Sequence, residues 1–141
     1  MLGYAGPKIH NAVMAQVRAL GLPRGVTVLD TPCGAGEITV RLAKDGYTVS
    51  AADIGSDLSP EAIDLVQDRF RVADLNAPLP WPDSSFDLVV SVEGVEHLEN
   101  AFAFFRDAYR ICKPGGMFLI TTPNISSLRS RVRYFGSTFF T

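Results

Sequence analysis

Four acidic residues each follow a short apolar run. Asp30 comes after Val26-Thr27-Val28-Leu29, Asp53 after Tyr47 to Ala52, Asp74 after Phe70 to Ala73, and Glu93 after Phe86 to Val92. Any one of them alone could be a turn former, since Asp is favoured there. Together, at the ends of successive strands and beside the loop Gly34-Ala35-Gly36, they describe a binding edge. The glycines let backbone approach a ligand closely, at the start of a helix whose N–H groups face outward. A dinucleotide fingerprint would place a third glycine where this chain has Thr39. Asp53, one strand further on, suits the vicinal hydroxyls of a ribose. The pattern therefore asks for an adenosine-type ligand without asking strongly for a pyrophosphate. Glu93-x-x-Glu96-His97 adds an imidazole that titrates near neutral pH, a candidate base for a hydroxyl acceptor.

These residues need elements to hold them. Pro7 opens a first helix, with Ile9, Val13, Val17 and Leu20 at helical spacing and Gly21-Leu22-Pro23 as its stop. His10 on that helix reads as an exposed or cap-side residue. Strand Val26–Leu29 leads through the glycine loop into a helix from about Glu37 to Asp45, closed by Gly46. Strand Tyr47–Ala52 is followed by a short helix to about Gln67, with Ser59 as its N-cap. Strand Phe70–Ala73, a proline-rich loop from Asn76 to Asp83, and strand Phe86–Val92 come next. Leu98, Phe102, Phe105, Tyr109 and Cys112 form a helical stripe that reads as core packed on the sheet. Lys113-Pro114-Gly115-Gly116 then turns the chain into a fifth strand, Met117–Thr121. Strands that are nearly all apolar and alternate with helices predict an α/β fold. It is a doubly wound, mostly parallel, Rossmann-like sheet of about five strands in the order 3-2-1-4-5, with helices on both faces.

Composition narrows the class further. The 141 residues suit one domain, and 47% hydrophobic with 20% charged residues is ordinary for a globular chain. A formal net charge of −2 gives no global field for nucleic acid or an anionic membrane. No apolar run approaches the roughly 20 residues that span a bilayer. No basic-then-apolar leader is present at the start, and Cys33 and Cys112 lack metal or redox spacing. A cytoplasmic protein with free thiols is the expectation, and both cysteines read as small buried side chains rather than reactive ones.

At this point a resemblance becomes specific. Val28-Leu29-Asp30-Thr31-Pro32-Cys33-Gly34-Ala35-Gly36 resembles the first motif of class I S-adenosylmethionine-dependent methyltransferases of small-molecule type. Ala51-Ala52-Asp53-Ile54 is similar to their acidic second-strand end. Ala73-Asp74-Leu75-Asn76, with Pro78 to Val89, is similar to their adenine-side segment and fourth strand. Val92 to Leu98 and Ile111-Cys112-Lys113-Pro114-Gly115-Gly116 complete a series running from about Val26 to Asn124. The chain departs from the family at Pro32, where glycine is usual.

The resemblance implies S-adenosyl-L-methionine as cofactor and S-adenosyl-L-homocysteine as product. Cys33, Gly34, Ala35 and Gly36 would lie along the methionine part, with Asp30 beneath them toward its amino end. Asp53 would take the ribose hydroxyls, and Ile54 would pack on the adenine. Asp74 and Leu75 would meet its polar edge, and Val92 and Glu93 would floor the site near the transferred methyl. His97 and Glu96 are the candidate catalytic residues. The acceptor would be a small molecule or a glycan, methylated on O, N or C. The competing classes are a dinucleotide-dependent oxidoreductase and a methyltransferase-like binding module without activity. Glu93, Glu96 and His97 also resemble the metal-binding segment of small-RNA 2′-O-methyltransferases and ubiquinone-biosynthesis O-methyltransferases. Those families add a downstream histidine that does not follow His97 here, so no metal is expected.

Residues 1–141 thus read as a single methyltransferase domain lacking the last two strands usual in the family. The fifth strand is expected to be an edge, covered by the C-terminal tail or paired in a homodimer. That tail, Asn124 to Thr141, carries Arg129, Arg131 and Arg133 with Tyr134, Phe135, Phe139 and Phe140, a basic face for solvent or for an anionic partner.

Overall fold

Val28, Leu29, Leu88, Val89 and Val90 are all fully buried, as nearly continuous apolar runs require of strands covered on both faces. The computed structural model describes residues 6–123. In it β1 (Thr27–Asp30), β2 (Thr48–Asp53), β3 (Phe70–Val72), β4 (Phe86–Val92) and β5 (Cys112–Thr121) form one sheet. Every pairing is parallel, and the order is β3-β2-β1-β4-β5, as the sequence predicts. The chain runs outward from β1 to β3, then crosses back to β4. The strand order reverses between β1 and β4, and the carboxyl ends there open a crevice.

Side-chain alternation divides the core. Val28, Leu88 and Val90 pack with Val13, Met14 and Val17 of α1 (Pro7–Ala19) and with Ile38 and Leu42 of α2 (Glu37–Lys44). Leu29 and Val89 point the other way, toward Phe104 and Ile111 of α4 (Ala101–Ile111). The helix starts have local causes. Pro7 occupies the first turn of α1, where a missing N–H costs nothing. Ser59 caps α3 (Pro60–Val66) by accepting from the Ala62 N–H at 3.2 Å. Asn100 caps α4 by accepting from the Ala103 N–H at 3.1 Å. Each such cap contributes about 1 kcal/mol.

The predicted stripe is corrected in part: Leu98, Phe105 and Cys112 pack against the core as expected, but Phe102 and Tyr109 do not. Phe102 is 75% exposed and Tyr109 85%, whereas Phe104, Ala108 and Ile111 are buried. Both sets have helical spacing, one residue apart around the axis. The set containing Ala108 is the one that lets the helix axis come close to the sheet, and Phe104 fills the gap against Phe118, its ring centroid 5.9 Å away. The predicted turn before β5 is also modified. Cys112 already pairs with Phe86, and Gly115, at φ +79°, sits in an irregularity inside the strand opposite Phe86 and Leu88. A side chain on Gly116 would stand 2.8 Å from the Lys113 carbonyl oxygen, so the bulge is built for glycine. At the amino edge, Asp87 accepts from the Thr27 N–H and hydroxyl, both at 2.9 Å, which holds its carboxyl below the usual range. Among the described residues β5 is an edge of the sheet. The aromatic, arginine-bearing tail lies outside the described residues.

Candidate functional site

The carboxyl ends of β1, β2 and β4 open onto a cleft of about 340 Å³, within the ordinary range for a small-molecule site. Residues from six segments line it: α1, the end of β1 with the loop after it, the start of α2, the end of β2 with its following turn, the segment after β3, and the end of β4 with the segment after it.

The glycine loop is folded chiefly upon the protein itself. Gly34, at φ +53°, donates its N–H to Asp53 Oδ2 at 2.7 Å. The Cys33 N–H goes to the Ala52 carbonyl and the Gly36 N–H to the Cys33 carbonyl, each at 2.9 Å. Asp53 thus anchors the loop with one oxygen, while among the described residues Oδ1 meets only the Gly55 N–H, at 3.4 Å, and remains an acceptor for the cleft that Asp53 lines. Ile54 beside it is 66% exposed, a bare apolar face on the cleft wall. Cys33 is buried, and burial pushes its thiol well above the ordinary range, so it is an inert lining group.

Pro32 stands where the family usually has glycine, and its ring lies against Gly94. A Cβ on Gly94 would be 2.5 Å from the Pro32 Cδ. The departure at one position is accommodated by a glycine on the facing segment.

Asp30 is 1% exposed, beneath the loop at the base of the cleft. Its Oδ2 accepts from the Thr39 hydroxyl at 2.6 Å. Burial pushes its carboxyl up to about 7, with the charge of Asp53 adding to the effect and the Thr39 hydroxyl opposing it. Thr39 marks the absence of a dinucleotide fingerprint, and here it has a positive role as the partner of the buried acid.

Asp74 and Leu75 line the wall after β3 with Asn76. Asp74 Oδ1 accepts from the Asn76 N–H, and Asn76 Oδ1 from the Glu99 N–H, both at 2.9 Å. The rest of this loop is fastened to α4. Arg110 donates to the carbonyls of Trp81 at 2.8 Å and Leu79 at 3.0 Å, and pairs with Asp83 at 3.0 Å and Asp107 at 2.7 Å. Asp107 in turn accepts from the Leu79 N–H.

Val92, Glu93, Gly94, His97 and Leu98 form the wall after β4. Glu93 has φ +50°, and burial raises its carboxyl, with Glu96 adding and His97 opposing. Glu96 Oε1 lies 3.7 Å from His97 Nε2, near enough for charge attraction and too far for a hydrogen bond. Among the described residues no three His, Cys, Asp or Glu side chains converge where one metal ion could sit.

Most of the predicted site residues come together here: Asp30, Cys33, Gly34, Ala35, Asp53, Ile54, Asp74, Leu75, Val92, Glu93 and His97 line one cleft. Two do not. Gly36, at φ +92°, faces α3, where a Cβ would lie 2.5 Å from the Ala62 Cβ; its glycine serves helix packing. Glu96 stands behind His97, outside the lining. Conversely His10, expected to be exposed or cap-side, lines the cleft, and burial lowers its pKa. Asp57, Glu37 and Asn76 also line it and were not singled out. A residue on a helix that precedes every motif gives no spacing signal of its role.

A family described as "Methyltransferase domain" matches residues 29–120, which take in the loop, Asp53, Asp74, Glu93 and His97. The chain belongs to the class I S-adenosylmethionine-dependent methyltransferases. The chain is 39% identical to 2-methyl-6-phytyl-1,4-hydroquinone methyltransferase of Synechocystis, over 73% of this chain and 34% of the relative. It is 34% identical to the mitochondrial ubiquinone biosynthesis O-methyltransferase of Rattus norvegicus, over 74% of this chain and 32% of the relative. Among solved structures it superposes on an S-adenosylmethionine-dependent methyltransferase of Mesorhizobium loti with TM-score 0.62 and 26% identity, over 79% of this chain and 52% of the other. The chain thus spans about a third of the length of these two curated relatives. No helix among the described residues is long and apolar enough to cross a membrane.

The lining of the cleft is chemically suited to the family's cofactor. Asp30, Glu37, Asp53, Asp57, Asp74 and Glu93 border it, and no Lys or Arg does among the described residues. Such a surface favours a ligand that carries a positive charge and hydroxyl donors, and it disfavours a pyrophosphate.

Proposed function

We propose that the cleft binds S-adenosyl-L-methionine and that the methyltransferase transfers its methyl group to a hydroxyl or ring carbon of a small hydroquinone-type acceptor. The observation that carries the cofactor assignment is the pairing of Asp53 with the Gly34 amide, which leaves the second carboxylate oxygen for a ligand in a cleft that six acids line and, among the described residues, no Lys or Arg. The acceptor class is supported by the two relatives, whose names specify a hydroquinone and an O-methyl transfer.

The sulfonium of the cofactor supplies an electrophilic methyl that needs no further activation. The protein's part is positioning, worth on the order of 7–11 kcal/mol in favourable systems. Asp53 accepts from the ribose hydroxyls, Ile54 and Leu75 bound the adenine, and Asp74 accepts from its amino group. Val92 and Glu93 floor the site. His97, on the rim after β4, accepts the proton of the acceptor hydroxyl, and the Glu96 carboxylate behind it steadies the imidazolium that results.

Calorimetry with S-adenosylhomocysteine and with NADH tests the cofactor, and mass spectrometry of hydroquinones incubated with S-adenosylmethionine tests the acceptor. Binding of the dinucleotide without the sulfur nucleoside would reverse the assignment.

A further inference from the structure

The acidic border that suits a sulfonium poses a problem at the other end of the cofactor, which carries a carboxylate. Six acids line the cleft, and no Lys or Arg does among the described residues. The loop after β1 offers less than its glycines suggest. Pro32 has no N–H, and the amides of Cys33, Gly34 and Gly36 already serve Ala52, Asp53 and Cys33. Arg41, nearby on α2, is engaged as well. It donates to Asn11 Oδ1 at 2.7 Å and to Glu37 Oε1 at 2.9 Å.

Three lining side chains carry an N–H: His10, Asn76 and His97. Asn76 belongs to the wall after β3 and His97 to the wall after β4. His10 belongs to α1, beside Glu37 at the start of α2, where the glycine loop ends, and Arg41 one turn further along that helix. The bond between Arg41 and Asn11 ties α2 to α1 at the residue adjoining His10, and His10 lines the same cleft as the loop residues Cys33, Gly34 and Ala35.

We propose that His10 holds the amino-acid carboxylate of the bound cofactor. This rests on the cofactor reading above. An imidazole N–H donates to the carboxylate from the α1 side, in a place where the strand-end acids would otherwise repel it. Arg41 offsets the charge of Glu37 and keeps that acid from competing for the same N–H. Burial lowers the His10 pKa in the empty cleft, and the ring carries an N–H donor in either protonation state. Helix α1, which precedes all the family motifs, thereby becomes part of the binding site.

The test is calorimetry of wild type, His10→Phe and His10→Gln with three ligands. These are S-adenosylhomocysteine, its decarboxylated analogue S-adenosyl-3-thiopropylamine, and 5′-deoxy-5′-methylthioadenosine, which lacks the amino-acid part. The expected result is that His10→Phe weakens S-adenosylhomocysteine by about ten-fold or more, the loss of a hydrogen bond to a charged group. Methylthioadenosine and the decarboxylated analogue should bind the variant as they bind wild type, and His10→Gln, which keeps an N–H donor, should restore most of the loss. Equal weakening of all three ligands, or none of S-adenosylhomocysteine, would overturn the proposal. Should His10→Phe fail to fold, wild type and His10→Gln decide. Wild type binding the decarboxylated analogue as tightly as S-adenosylhomocysteine would overturn it without any variant. If wild type binds none of the three ligands, the cofactor assignment itself falls.

Discussion

Replacing Asp53 separates two tasks that one carboxylate performs. One oxygen holds the Gly34 N–H at 2.7 Å, and the other, with the Gly55 N–H at 3.4 Å, faces the cleft. Hydrogen bonds to a charged group contribute about 1.5–3 kcal/mol each. Asp53→Ala removes the loop anchor and the ribose acceptor together. It should therefore lower unfolding free energy by about 1–3 kcal/mol and also weaken S-adenosylhomocysteine by roughly 10- to 150-fold. Asp53→Asn keeps a carbonyl oxygen for Gly34 but presents an NH2 group and no charge to the ribose. Its stability should stay near wild type while its affinity falls nearly as far as that of the alanine variant. The assay pairs calorimetry with urea unfolding in the absence of ligand. If both variants are folded and bind like wild type, Asp53 has no part in holding the ligand and the proposed cofactor geometry is wrong.

Asp30 is buried with its carboxyl raised to about 7, so its share of folding stability is full near and below about pH 4 and is lost as pH climbs through 7. Asp30→Asn should flatten the slope of stability between pH 5 and 8, and Thr39→Val, which removes the 2.6 Å donor, should destabilise more at pH 8 than at pH 5; urea unfolding at both pH values reads this. Gly94→Ala should cost about 1–3 kcal/mol by forcing a Cβ against the Pro32 ring, and Pro32→Ala should recover much of it in denaturant unfolding. His97→Ala should reduce turnover about 10²- to 10⁴-fold with an unchanged S-adenosylhomocysteine affinity by calorimetry. On α4, Phe104→Ala should destabilise by about 3–5 kcal/mol, whereas Phe102→Ser and Tyr109→Ser should each stay within about 0.5 kcal/mol in the same unfolding assay.

The strands, their order and the cleft edge were legible because they rest on signals local to the chain. Apolar runs end at Asp30, Asp53 and Asp74, and each loop that follows carries its own turn chemistry. What escaped the sequence depends on distance in the chain. The two rival stripes of α4 differ by one residue, and only the fit of Ala108 and Phe104 against the sheet chooses between them. Gly36 reads as a ligand-loop glycine, yet its hydrogen is needed by Ala62 of another helix. His10 reads as a surface residue because nothing within α1 reveals that the helix borders the cleft. The Pro32–Gly94 contact joins residues far apart in the chain, and neither announces the other.

The fastening of the segment from Asp74 to Asp83 onto α4 makes the cleft a seam. Its wall after β3 travels with α4 through Arg110 and Asp107, while its opposite wall travels with α1, α2 and β2. Strand β3, which leads into that segment, pairs through three residues and is mostly exposed, so it is a weak tether between the two halves. A ligand seated in the cleft staples them together. At a hundred-fold excess over its dissociation constant it adds about 2.7 kcal/mol to the cost of opening. Slowed amide exchange should then reach α4, whose residues Asp107 and Arg110 line no part of the cleft, as well as the loop beside Gly34. Binding at the crevice would be felt as rigidity on the far side of the sheet.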